Sequence, residues 1–167
     1  MRWVWYAARR AGLHLDEAED EFETNDRLLA SLKLIAPTLR LTSEDQQDLL
    51  PRAHLSRYGT DEFLQHTGQV PKRMSFIVNG KVRLAATGDA GAMIPVRTLE
   101  RGDFIGQTAL TLEPVTAAAY ALEEVTVLQF DRDAIEALVA RKPVLLQDFG
   151  RAIDERRASV QRALADD

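Results

Sequence analysis

The 167-residue chain contains no cysteine, which excludes disulfides, thiolate metal sites and a cysteine nucleophile, and suits a reducing compartment. No apolar run approaches the roughly 20 residues needed to cross a bilayer. The opening MRWVWYAARRAG is basic and aromatic, yet lacks the continuous apolar stretch and cleavage site of a signal peptide. A basic excess is also missing. With 21 Lys and Arg against 26 Asp and Glu, the net charge of -5 is the wrong sign for a nucleic-acid partner. His14, His54 and His66 show no ligand spacing, whereas a metal-dependent jelly-roll enzyme needs clustered His and Glu. No nucleophile elbow or Ser-His-Asp arrangement is visible. The chain therefore reads as a non-enzyme with no metal. One further absence is local: between Arg101 and Arg132 there is no Lys, Arg or His.

What is present falls into three parts. Residues 2–12 read as a short helix with Trp3, Val4 and Tyr6 or Ala7 on one side, Arg2, Arg9 and Arg10 elsewhere, and Gly12 as C-cap. Residues 16–26, DEAEDEFETND, carry seven acids and no base, the pattern of a solvated linker; they lack the glycine turn and distal Glu of a calcium loop. From Leu28, apolar residues Leu28, Leu29, Leu32 and Ile35 recur at helical spacing and predict a helix ending near Pro37. Ser43-Glu44-Asp45-Gln46 reads as a capping box for a second short helix that breaks at Pro51.

Short strands follow at 54–58, 62–66, 75–78, 81–87 and 93–99, separated by glycine turns. Asn79-Gly80 predicts a tight hairpin between the third and fourth of them. Val125 to Phe130 is the last strand, and Asp131 is placed to cap a helix bearing Ile135, Leu138 and Val139. After Pro143, a longer helix carries Leu146, Phe149, Ile153, Arg156, Val160 and Ala163 at three-four spacing, as core, lid or oligomer seam. The sum is a mainly β chain with flanking helices, an antiparallel roll or sandwich.

The stretch around which the rest is organised is GDFIGQTALTLEPVTAAAYAL, residues 102–122. Gly102 and Gly106 bracket a short apolar step, and Gln107, Thr108 and Ala109 are enough for one helical turn. Pro114 closes that turn, and Val115 to Leu122 reads as a strand. A glycine opening a helical turn leaves backbone N–H groups pointing outward, which is an anion cradle in principle.

This stretch resembles the phosphate-binding cassette of the cyclic-nucleotide-binding domain family, F-G-E-x-A-L followed by P-R-x-A, through Phe104, Gly106, Ala109, Leu110, Pro114 and Ala117. LLASLKLIAPTLRLTSEDQQDLL and GQVPKRMSFIVNGKVRL are similar to the family's helical lead-in and central hairpin. The resemblance implies an antiparallel β-roll of the cyclic-nucleotide-binding type over residues 27–167, with N-terminal helices and a C-terminal lid helix. It also implies a ligand, cyclic AMP or cyclic GMP. Carried over by position, Gly106, Gln107, Thr108, Ala109 and Leu110 line phosphate and ribose. Val115, Thr116 and Ala117 flank them, and Leu84, Leu99 and Phe104 form the sleeve for the base. Two positions depart from the pattern: Gln107 stands where the family has the ribose-binding Glu, and Val115 where it has the phosphate-pairing Arg. A buried charge deprived of its partner costs about 2–5 kcal/mol, so tight binding of an ordinary cyclic nucleotide is not expected unless Arg83, Arg97 or Arg101 swings in.

RWVWYAARRAGLHL resembles the end of the cytoplasmic vestibule of small-conductance mechanosensitive channels, with its R-x-x-x-W-Y-A-x-x-x-A-G-I pattern. That resemblance implies that residues 1–15 end a channel domain, that 16–26 link it to the binding domain, and that the whole protein is a homo-oligomer of the inner membrane with this part in the cytoplasm. Membrane contact would then come only through the parent channel. Two functions are compatible with the sequence: a regulatory module with weakened or altered small-molecule binding, and a degenerate domain that binds nothing small and serves channel assembly. A transcription regulator of the catabolite-activator type does not fit, since fewer than 40 residues follow Asp131 and the roll's own helices use them.

Overall fold

The structure, a computed structural model, describes residues 24–166. The expected helix at 2–12 and most of the acidic linker lie outside these residues. Helix α1 (Asn25–Leu39) starts where Thr24 accepts the Arg27 N–H and buries Leu28, Leu32, Ile35 and Leu39. It does not stop at Pro37. A proline in the last turn loses one backbone bond only, and Arg40 ends the helix in the left-handed region at φ 54°. Helix α2 (Ser43–Leu49) has a reciprocal capping box one residue earlier than expected: Thr42 Oγ1 accepts the Asp45 N–H and the Asp45 carboxylate accepts the Thr42 N–H.

Eight strands form two four-stranded antiparallel sheets. One, in the order β1-β8-β3-β6, is built from β1 (His54–Tyr58), β8 (Val125–Asp131), β3 (Arg73–Asn79) and β6 (Phe104–Ile105). The other, β2-β7-β4-β5, is built from β2 (Phe63–Gln65), β7 (Ala118–Ala121), β4 (Val82–Thr87) and β5 (Met93–Leu99). The architecture is the antiparallel roll with helices at both ends that the sequence implies. The Asn79-Gly80 hairpin is a correction: β3 and β4 are consecutive but unpaired, because this turn carries the chain from one sheet to the other. Gly80, at φ 97°, makes the crossing where its Cα faces Glu124 and Val125 too closely for any Cβ.

Two apolar cores result. The first lies between the helices and the β3/β8 face, around Phe76, Phe130, Leu32, Ile135 and Phe149. The second fills the space between the sheets, around Ile77, Val82, Leu84, Leu99 and Val127. Helix α3 (Arg132–Arg141) follows β8 directly. Asp131 stands at its N-cap position without a capping bond; its carboxylate pairs with Arg73 at 3.0 Å. Helix α4 (Val144–Ala165) runs back over the roll, touching β4, β5 and the turn at 107–109. Its buried stripe is Leu145, Phe149, Ile153 and Val160; Leu146, expected inward, is 56% exposed. Leu145, four residues before Phe149, takes the inward position at the start of the helix.

Candidate functional site

The site begins with Gly106. Its φ of 81° and its approach to the Arg73 carbonyl leave no room for a side chain. This backbone bend ends β6 and opens a 3-10 turn, Gln107–Ala109, whose three residues are all buried. Such a turn leaves its first N–H groups without partners inside the turn. Ala109 is held in place through its carbonyl, which accepts from Arg132 Nε at 3.0 Å. Strand β7 starts at Ala118, three residues later than the expected strand at Val115. The Val115 backbone instead pairs with the 68–69 loop, donating to the Gln69 carbonyl and accepting from the Gly68 N–H.

Between this turn, the Pro114–Ala117 segment and helix α4 lies a hollow of about 360 Å³ including its mouth. Of the residues carried over from the cassette, Leu84, Gln107, Thr108, Val115, Thr116 and Ala117 line it. Gly106, Ala109 and Leu110 shape the turn from behind instead. Leu99 is wholly buried in the core between the sheets and does not line this hollow. In the F-G-E register Ile105, not Phe104, directly precedes the glycine; Ile105 packs in the inter-sheet core while Phe104 packs edge-on against Phe149 of α4.

The lining also contains residues that sequence reasoning did not place there: Gln65, Ile153, Arg156 and Arg157. Gln65 is buried, and its Nε2 donates to the Ala117 carbonyl at 2.9 Å, fixing the floor. None of Arg83, Arg97 and Arg101 lines the hollow. The cation comes from the helix above: Arg156 Nη1 donates to Gln107 Oε1 at 3.0 Å, and its guanidinium carbon lies 5.3 Å from the Phe104 ring centroid. Burial pushes the Arg156 pKa down to about 10, and Arg97 adds to the fall, against Asp103 and Glu155. It still carries its charge at neutral pH. One helical position further on, Arg157 donates to Glu113 on the cassette loop. Arg157 is also the first cause holding the Glu113 carboxyl below its ordinary pKa. Helix α4 is thus fastened to the cassette at two consecutive residues, and of the hollow only about 30 Å³ can hold the centre of a water molecule. By that measure one water needs about 10–15 Å³.

One buried hydroxyl on a lining residue has no partner. Thr108 Oγ1 is buried without a hydrogen bond, on a residue 6% exposed. A buried hydroxyl left unpaired costs roughly 1–3 kcal/mol, so the site is arranged as if a polar group were to arrive there. Among the described residues no group of His, Asp and Glu is placed to hold a metal ion.

The profile of the family described as "Cyclic nucleotide-binding domain" matches residues 55–142, just over half of the chain. No curated protein matches the sequence. Among solved structures, the regulatory domain of Toxoplasma gondii PKA, solved with cAMP, is similar with a TM-score of 0.67 at 16% identity, over 77% of this chain and 50% of that one. A cyclic nucleotide-binding domain from Methylobacillus flagellatus gives 0.66 at 18% identity, over 83% and 85%. The regulatory subunit of a cAMP-independent protein kinase A from Trypanosoma cruzi, solved bound to guanosine, gives 0.63 at 20% identity, over 74% and 46%. The chain therefore spans about half the length of the two kinase regulatory proteins. At these identities the likeness concerns the fold. With the cassette turn, the roll and the closing helix in place, the chain belongs to the cyclic nucleotide-binding domain family.

Proposed function

We propose that this chain is a regulatory ligand-sensing module whose affinity for ordinary cyclic nucleotides is weakened, carried at the cytoplasmic end of a mechanosensitive-type channel of the inner membrane. The observation that carries the ligand part is Val115: it sits buried in the lining of the hollow, where the family's cassette has an arginine. Gln107 can still bond a sugar hydroxyl, so its replacement of Glu is the milder change. The trypanosomal protein of similar fold is bound to guanosine, a guest without a phosphate. The channel part rests on the resemblance of residues 1–15 to a vestibule end, and with it come the homo-oligomeric state and the location. A guest would act on the pore only through its preference between two positions of α4.

A second reading, a domain that binds nothing small and serves channel assembly, draws on the small space left beneath α4. Calorimetric titration of the chain with cyclic AMP and cyclic GMP separates the two. Weak heats that saturate in the millimolar range or below support the sensing module; no heat at millimolar nucleotide supports the assembly role.

A further inference from the structure

The geometry points to Arg156, on the closing helix, as the residue that recognises the phosphate of a nucleotide in this site, in place of the arginine missing from the cassette. This rests on the sensing-module reading above. Three observations support it. First, Arg156 lines the hollow, with its guanidinium bonded to Gln107 and set over Phe104. Second, no carboxylate touches it: among the described residues none forms an ion pair with Arg156, although Arg157 beside it has Glu113. Guanidinium offers five N–H donors in a planar fork suited to phosphate oxygens, and the Gln107 carbonyl oxygen is a neutral partner for only one of them. Burial makes its charge costly; of the charges around it Arg97 repels it, while Asp103 and Glu155 attract it through space without an ion-pair contact. Third, Thr108, whose buried Oγ1 has no partner, lines the same hollow. A phosphodiester monoanion of a cyclic nucleotide would supply oxygens to both.

The consequence is a coupling that a cassette arginine cannot give. When the phosphate partner sits on α4, the anion bridges roll and lid, and must exchange the Gln107 bond for its own. A nucleoside lacks that charge and has no such hold on the helix. Discrimination between nucleotide and nucleoside then resides in one lid residue.

The test is calorimetric titration of three forms of the chain with cyclic AMP, cyclic GMP, adenosine and guanosine. The unaltered chain is expected to bind a cyclic nucleotide roughly tenfold or more tighter than its nucleoside, the difference one charge-assisted contact makes. Arg156→Ala is expected to bring that ratio to about one, and a cooperative thermal unfolding transition shows that the variant is folded. Val115→Arg combined with Arg156→Ala, which moves the guanidinium to the cassette, is expected to restore the preference. An unaltered chain with no preference for the nucleotide overturns the inference, as does an equal or larger ratio in Arg156→Ala. If the combined variant nonetheless binds cyclic nucleotide, only the role of Arg156 falls; if it binds none, the sensing-module reading falls with it.

Discussion

Arg156 and Phe104 face each other across the boundary between lid and roll, with the guanidinium carbon 5.3 Å from the ring centroid. The pairing places a cation on an aromatic face that also packs against Phe149 of the same helix. Cation–π attraction of this kind contributes about 0.5–2 kcal/mol, which offsets part of the desolvation of Arg156.

It does not offset all of it. A charge held in a desolvated place for binding is often a liability for stability, and an apolar residue of similar length often does as well or better there. Arg156→Met removes that cost but leaves the buried Gln107 Oε1 without its donor, so thermal stability is expected to change by no more than about 1 kcal/mol in either direction while the nucleotide preference is lost. A clear fall in the melting temperature would mean that Arg156 serves mainly as a structural fastening.

Gly106 carries the opposite expectation. At φ 81°, with the Arg73 carbonyl against its Cα, the position excludes a side chain on two counts. A left-handed non-glycine residue costs about 1–2 kcal/mol before any collision is counted. Gly106→Ala is expected to lower stability by about 2 kcal/mol or more and to move the 107–109 turn. Urea unfolding would measure it, and a variant as stable as the parent would show that the turn yields easily.

Asp45 sets an acid limit on the fold. Burial raises its pKa, but the Thr42 N–H and the Lys142 ammonium at 2.9 Å outweigh that and hold the carboxyl at about 2. The folded pKa is thus below the unfolded one, near 3.8. The stabilisation is present above the unfolded value and is lost as pH falls toward 2. It ties α2 to the end of α3 and amounts to on the order of 1–2 kcal/mol. Asp45→Asn is expected to remove it at neutral pH and to flatten the stability curve between about pH 4 and 2; an unchanged curve would place the acid sensitivity elsewhere.

The strands at 54–58 and 93–99 were legible to the residue, because each is a short segment bounded by glycine, proline or charged turn residues. The glycine bend and the turn at 107–109 were legible for the same local reason. Pairing was not. Asn79-Gly80 is as good a hairpin turn as any, and only the pairing of β3 with β8 and of β4 with β7 shows that it crosses between sheets. The lining was legible where it follows the cassette, at Gln107, Thr108 and Val115. It was not legible at Gln65 and Arg156, which reach the hollow from 42 residues before and 49 residues after Gln107. Arg156 stood in the apolar stripe of α4 as a lone charged member. A cation at an otherwise inward-facing position was the available signal, and it names no partner until α4 is laid over the turn.

The account turns on whether a nucleotide-shaped site persists with its cassette cation missing. Calorimetric titration of Val115→Arg combined with Gln107→Glu with cyclic AMP and cyclic GMP tests this most directly. The two changes return a phosphate partner and a ribose acceptor to the lining. Restoring a buried charge partner is worth about 2–5 kcal/mol, so affinity for one cyclic nucleotide should rise about thirty-fold or more over the unaltered chain. A folded double variant that gives no heat with either nucleotide at millimolar concentration would contradict the account.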